Sequence, residues 1–456
     1  MTAAKDATTD SISLRENLWS NALFPWLVIV YFWIKIATPF RSNIFGFFET
    51  IHFERIVIGI LLIVTLAGGR IRSIKSPVTA LYLLVAFWML LSYLFSNYQS
   101  FENVDWWIKE YWKYLVVFLL ISTGIKDRKE AAFILLGFAG VTTLYQTHTW
   151  FDFAQGGSYV YQQGIRRIIG VWSGGGLGAA NGYASMSVAT IPLGYFAYRI
   201  GWAPWIRLSG LYAMAISGMS ILYSGTRGAF ITGAAIIGLI AIKHFGFWRS
   251  ATAGILLAAC TWFLLPPELR DRYTDISLSG AERGMTRAEE ISASSAQSRV
   301  EGLIDGVNMA NDRPILGHGP GSSALARMQY RELERPLQLH NLYGQAMAEL
   351  GYVGLVFWLA LLGTSVASAR KIYKLEPATA YVQEMGLCLS YLLIALIIYG
   401  AVSHNMLQEE WIFYWSLIVA AARKEVIGRA HPRSEFTRAN RGTRQSPLQP
   451  AGERSR

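Results

Sequence analysis

Three stretches of the chain carry side chains suited to chemistry: "SGTRGAF" with Arg227, "SRVEGLIDGVNMANDRPILGHGPGS" with Arg299 and His318, and "LQLHNLYGQAMAELGYVGL" with His340, Asn341 and Glu349. Arg227 and the His340-Asn341 pair each stand where a polar segment becomes an apolar run. A helix beginning there exposes unpaired N–H groups and the positive end of its dipole, which together favour an anion. An arginine in that first turn is disfavoured by roughly 0.3–1 kcal/mol at an exposed site. Arg227 is therefore expected to meet something negative, either a bound phosphorylated ligand or a lipid phosphate reached by snorkelling. The planar guanidinium fork grips phosphate oxygens in pairs and keeps its charge. His340, beside a helix N-terminus, should have its cationic form disfavoured, leaving a neutral ring able to take a proton from an attacking hydroxyl. The plainer reading is an interfacial histidine hydrogen-bonded to its loop.

Glu349 lies half a turn out of phase with His340 at about 3.6 residues per turn, so the two cannot share a helix face. It is expected to meet a neighbouring helix and to act structurally, since intramembrane carboxylates find partners. His318 sits in a Gly-rich turn, and His404 begins another loop; neither carries a further signal.

The elements that must position these residues follow from composition. The chain has 456 residues, 53% hydrophobic and 16% charged, with 42 glycines. Soluble domains carry about 25% charged residues. Apolar runs long enough to approach a bilayer crossing fall at about 22–38, 54–69, 77–96, 111–123, 131–150, 181–198, 208–224, 228–242, 250–266, 341–364, 382–403 and 409–423. The expected fold is all-α, a polytopic membrane helical bundle of about twelve transmembrane helices with one large outer loop. Residues 1–21 would form a cytoplasmic N-terminal segment without a cleavable signal, 22–423 the transmembrane domain, 267–339 the large loop within it, and 424–456 a disordered basic tail beside anionic lipid.

Lys and Arg concentrate in alternate connections (Arg70, Arg72, Lys75; Lys126, Arg128, Lys129; Arg199, Arg207; Lys243, Arg249; Arg370, Lys371, Lys374), which marks these as cytoplasmic. The formal charge of +11 is then mostly topology, and no nucleic acid is expected as a partner. Cys260 and Cys388 both fall in apolar runs, so no disulfide framework is expected.

Against this bias, Arg166, Arg167, Arg227 and Arg299 lie on the outer side. Asn181 opens an apolar run there as an N-cap. Several cations and helix N-termini at one rim point to a phosphorylated ligand, with Arg166, Arg167 and Asn181 as further contacts. Trp106 and Trp107 would stack on sugars or sit in an interfacial aromatic belt. In the long loop, "LRDRYTDISLSGAERGMTRAEEISASSAQ" lacks an apolar period and reads as loop with at most one short helix. Val300, Leu303, Ile304 and Val307 mark an amphipathic helix, and another helix follows the Pro/Gly-rich turn. Loops this long usually cover something. The sequence has no compact carboxylate cluster, no His-Glu-x-x-His, no Walker A or dinucleotide fingerprint and no Gly-x-Ser-x-Gly, so no metal or other cofactor is expected.

The ordered set "SGTRGAF", "SRVEGLIDGVNMANDRPILGHGPGS" and "HNLYGQAMAELGYVGL" resembles the bacterial O-antigen ligase and O-antigen polymerase superfamily, specifically from about Asn181 to Thr364. The resemblance implies an inner-membrane glycosyltransferase of lipopolysaccharide or other polysaccharide biosynthesis, with a large periplasmic loop. Such an enzyme moves a glycan from undecaprenyl diphosphate to an acceptor hydroxyl on lipid A core, a glycan or a protein, without a metal and with inversion. It also implies His340 as the catalytic base and Arg227 and Arg299 as diphosphate ligands. Ligase and polymerase remain alternatives, the ligase preferred, and a lipid-glycan flippase is a rival from another class.

Overall fold

The computed structural model describes residues 23–37, 46–162, 165–171, 179–201, 203–274, 287–375, 380–406 and 408–423. The expected N-terminal segment and basic tail lie outside these, as do the side chains of Trp106, Trp107 and Cys260. In chain order the elements are α1 (Leu23–Ala37), α2 (Gly46–Thr50), α3 (Phe53–Ala67), α4 (Pro77–Leu94), α5 (Glu102–Gly124) and α6 (Arg128–Ala154). A hairpin of β1 (Tyr159–Gln162) and β2 (Ile165–Ile168) follows. Then come α7 (Ala180–Ile200), α8 (Pro204–Tyr223), α9 (Arg227–Phe245), α10 (Phe247–Leu264), α11 (Pro267–Thr274), α12 (Arg287–Asp312), α13 (Ser323–Tyr330), α14 (Leu342–Tyr373), α15 (Ala380–Gly400) and α16 (Glu410–Ala421).

Every expected apolar run coincides with a helix. Among the described residues, five helices are long and apolar enough to cross a membrane (α4, α8, α9, α14 and α15), and α1 and α16 are shorter apolar helices. The protein is a helical, multi-pass membrane protein. Large apolar side chains such as Ile63, Phe87, Leu208, Ile231, Leu256 and Phe263 face outward, as a lipid-facing surface requires. One charge inside the bundle is paired twice: Lys35 of α1 lies 3.4 Å from Glu54 and 3.3 Å from Glu409.

Local chemistry explains the helix starts. Ser76 caps α4, its hydroxyl accepting from Thr79 N, with Pro77 at the first helical position. Asp127 caps α6, accepting from Glu130 N at 2.8 Å. The core pairs α7 closely with α8 and packs α14 against α4, α12 and α15. Gly194 and Gly210 permit the first of these: a Cβ at Gly210 would stand 2.5 Å from Gly194 O.

At one end of the bundle Arg70 pairs with Glu130 at 3.0 Å, Arg199 with Glu384 at 2.9 Å, and Arg423 donates to Ile125 O at 2.8 Å. The other end carries α11, α12 and α13. There the structure departs from expectation twice. First, α12 begins at Arg287, well before the apolar period, because "RAEEISASSAQ" is rich in residues of high intrinsic helix propensity. Second, its apolar stripe is not the packed face: Val300 is 55% and Ile304 50% exposed, while Gly302, Asp305 and Gly306 are buried. Close approach and an ion pair choose the face instead. A Cβ at Gly306 would lie 2.4 Å from Gly344 Cα, and Asp305 holds Arg327 Nε at 2.8 Å. α14 also differs from the uninterrupted run expected. Gly351, at φ 70°, breaks it, and the free Tyr352 N–H donates to Pro314 O at 2.8 Å.

Candidate active site

The site is built around the turn between α15 and α16, residues Ala401 to Glu409, to which three separate parts of the chain are tied. The first is the start of α14. Asn341 caps it: its Oδ1 accepts from Tyr343 N at 3.0 Å and Gly344 N at 2.9 Å, and its Nδ2 donates to Ala401 O at 2.9 Å. His340 precedes the cap with φ 50°, a left-handed conformation that histidine tolerates better than most residues. The segment leading to it is fixed by Arg327, which donates to Gln338 O at 3.0 Å. Gly302 presses on the same segment, since a Cβ there would fall 1.8 Å from Leu339 O. So placed, His340 Nδ1 lies 3.1 Å from His404 Nδ1, with the two rings edge to face.

The second part is α12, from which Arg299 Nε donates to Val402 O at 3.2 Å. The third is the start of α9. A Cβ at Gly228 would lie 2.4 Å from Val402 Cγ2 and 3.8 Å from the Tyr399 ring, so the first turn carrying Arg227 abuts the same turn. Tyr399, just before it on α15, donates its hydroxyl to Asn181 O at 2.8 Å.

Arg167 closes the arrangement from β2. It is 4% exposed and is held by neutral acceptors: Ser224 O at 2.6 Å, Gln162 Oε1 at 3.1 Å, Asn181 Oδ1 at 3.0 Å and Thr226 Oγ1 at 3.0 Å. Asn181 is not the cap expected. Ala179 holds that position in α7, and the Asn181 side chain instead accepts from Arg167 and Thr226. Thr226 occupies the cap position of α9 but makes no side-chain capping bond.

The electrostatics are those of a partly buried cationic cluster. Burial lowers the Arg299 guanidinium, Tyr399 acts in the opposite sense, and Arg227 lowers it further. Burial also lowers Arg167, with Arg299 adding to the effect. His340 is pushed down to about 4, first by burial and then by His404, Arg299 and Arg327. His404 is lowered by burial alone. The His340 imidazole is thus biased toward its neutral form, with burial rather than the helix end as the main cause.

The structure thus brings together Arg167, Asn181, Arg227, Arg299 and His340. It does not bring in Arg166, which alternates to the exposed face of β2 and lies over the Phe153 and Tyr159 rings at 4.5 and 4.2 Å. Glu349 belongs to the scaffold. It accepts from Gly321 N at 2.9 Å, Ser323 Oγ at 2.6 Å and Gln345 Nε2 at 3.1 Å, so it meets a neighbouring helix, α13, as expected, together with a loop and its own helix. His318 is part of the same loop, with Nε2 3.1 Å from Met309 O. In the sequence His404 carries only a weak signal, and Tyr399 and the Val402 carbonyl carry none. A histidine in a short outer loop is the one signal that pointed there.

What these residues define is a membrane protein with a conformationally fixed imidazole beside buried cations at one end of a helical bundle. Residues 212–359, which include Arg227, Arg299, His340 and Glu349, match the O-antigen ligase family model. No curated protein matches the sequence.

Proposed function

We propose that the protein is an O-antigen ligase-type glycosyltransferase, moving a glycan from undecaprenyl diphosphate to an acceptor hydroxyl on the periplasmic side of the inner membrane. The observation that carries this reading is the gathering of Arg299, the Arg227 turn, Arg167 and His340 around the turn after Tyr399, within or beside the family domain. Such a cluster suits a diphosphate that gains charge as it departs. In this reading the chain has about twelve spans, with residues 267–339 as the outer loop. The basic end of the bundle, with Arg70, Arg199 and Arg423, is the cytoplasmic one.

In this reading the acceptor hydroxyl attacks the sugar C1 from the face opposite the diphosphate. As the new C–O bond forms, the hydroxyl proton passes to His340 Nε2. The electron pair of the breaking C1–O bond leaves with the diphosphate, whose growing charge Arg227 and Arg299 stabilise. That stabilisation is required more in the transition state than in the ground state. Arg167, already committed to four acceptors, contributes charge and holds Asn181 and the α9 turn in place. The product has inverted configuration, and no metal is required. A polymerase would use the same groups with another lipid-linked glycan as acceptor. A flippase fits less well, since transporters place their polar groups near the membrane midplane.

The test is transfer in vitro. Purified protein in liposomes receives a labelled lipid-linked glycan together with lipid A core, protein or lipid-linked glycan acceptors. A new glycosidic linkage of inverted configuration supports the reading, and the acceptor used names the subtype. Movement of the donor across the bilayer without new linkage rejects it.

A further inference from the structure

The contact between His340 and His404 has a consequence for proton placement. Two neutral imidazoles joined Nδ1 to Nδ1 at 3.1 Å can bond only if one nitrogen carries a hydrogen and the other a lone pair. A base acting through Nε2 must have Nε2 unprotonated, so its hydrogen sits on Nδ1. That hydrogen then points at His404 Nδ1, whose own proton must be on Nε2.

We propose that His404 is a positioning residue for His340, fixing its tautomer and ring orientation by accepting from Nδ1–H. The inference rests on His340 being the base. No proton passes to His404 in the step; the Nδ1–H bond persists while Nε2 gains the acceptor's proton. The place of His404 is itself fixed from both sides. Ala401 O and Val402 O are held by Asn341 and Arg299, and Asn405 donates to Leu396 O at 3.0 Å and accepts at its carbonyl from Trp411 Nε1 at 2.7 Å. The backbone of His340 is equally constrained by the Asn341 cap and by the Leu339 contact with Gly302. A ring at this position on another element, bonded through the nitrogen remote from the reaction, does what a carboxylate does in a hydrolase triad, but without charge. The distinction matters here because Arg299 and Arg327 act electrostatically on His340, and a neutral acceptor adds no counter-charge beside the ring.

The test uses full-length protein in lipid nanodiscs with the labelled lipid-linked donor. His404→Leu is expected to lower kcat between about 10- and 100-fold with KM little changed, less than the 10²–10⁴ loss expected for removing the base itself. His404→Asp restores the acceptor and is expected to recover part of kcat while moving the acid limb of the rate profile upward, since a carboxylate favours the imidazolium. Ring nitrogen NMR of histidine-labelled protein should show His340 as the Nδ1–H tautomer, with that signature lost in His404→Leu. Unchanged kcat and acid limb in His404→Leu, with His340→Ala inactive, would overturn this assignment alone. An active His340→Ala would overturn the base and this assignment together. Finding Nε2–H on His340 in the unsubstituted protein overturns it independently of activity.

Discussion

The Ser323 hydroxyl donates a 2.6 Å hydrogen bond to the buried carboxylate of Glu349, stitching the start of α13 to the middle of α14. Gly321 N adds a second bond to the same carboxylate at 2.9 Å, and Ser92 Oγ donates to the Glu349 carbonyl at 2.8 Å from α4. The loop after α12 is thereby anchored to the helix that presents His340. Glu349→Ala would leave the Ser323 hydroxyl and Gly321 N–H without this acceptor, at a cost of about 1–3 kcal/mol each, while the Ser92 bond to the backbone carbonyl would persist. A lowered thermal midpoint is expected in detergent, with Glu349→Gln intermediate. If Glu349→Ala instead unfolds at the normal temperature yet has lost transfer activity, the carboxylate acts in the chemistry and not in the scaffold.

Arg299 reaches the Val402 carbonyl from α12 and lies close enough to Arg227 for the two charges to interact. Arg299→Ala should cost on the order of 10²–10³ in kcat, by comparison with the deletion of one oxyanion-stabilising donor. Arg299→Lys should recover only part, because an ammonium lacks the paired fork. Steady-state kinetics with the lipid-linked donor measure both, and near-normal turnover of the alanine variant removes Arg299 from the site.

Gly302 affords a different kind of test. A Cβ there meets Leu339 O, one residue before His340, at 1.8 Å. Gly302→Ala must push α12 away from that segment, displacing Arg299 and His340 relative to each other. Activity should fall at least tenfold while detergent-solubilised protein remains folded, since a misplacement of about 1 Å costs up to 10² in rate. Circular dichroism and turnover measured on the same sample check the pair of outcomes.

The acid side of the rate profile follows from His340. A base is active when unprotonated, so kcat/KM should be flat through neutral pH and fall only as pH approaches about 4, the value of the free site. An unperturbed histidine would place that limb near 6.5. A bound diphosphate adds negative charge that favours the imidazolium, so the limb in kcat should lie at higher pH than that in kcat/KM. Finding the kcat/KM limb at 6.5 would contradict a buried, cation-flanked ring.

Orientation is checked by labelling. With native cysteines replaced, Glu334→Cys in the exposed segment before His340 should react with an impermeant maleimide from outside. Lys374→Cys, beyond the other end of α14, should react only after permeabilisation.

The helices were legible in the sequence because apolar runs report burial or lipid directly, but the caps were not: the structure makes Asn341 a cap and gives that place to Ala179 where Asn181 was expected. The packed face of α12 was not legible, since glycine approach to Leu339 and the Asp305–Arg327 pair decide it, and neither shows as apolar periodicity. Arg227 and His340 stood out because each opens an apolar run, and Arg299 because it is a cation on the side that the charge bias leaves poor in cations. His404 was nearly silent: its meaning lies in a contact with a residue 64 positions away, which spacing along the chain does not encode. The alternation that separates Arg166 from Arg167 depended on a short hairpin inside a stretch read as loop.

The most direct measurement is glycan transfer by purified protein and its His340→Ala variant, with donor binding measured in parallel. The account predicts that the unsubstituted protein forms the new linkage, while the variant binds the lipid-linked diphosphate normally and transfers at least about 10²-fold more slowly. Equal transfer rates in the two proteins would contradict it.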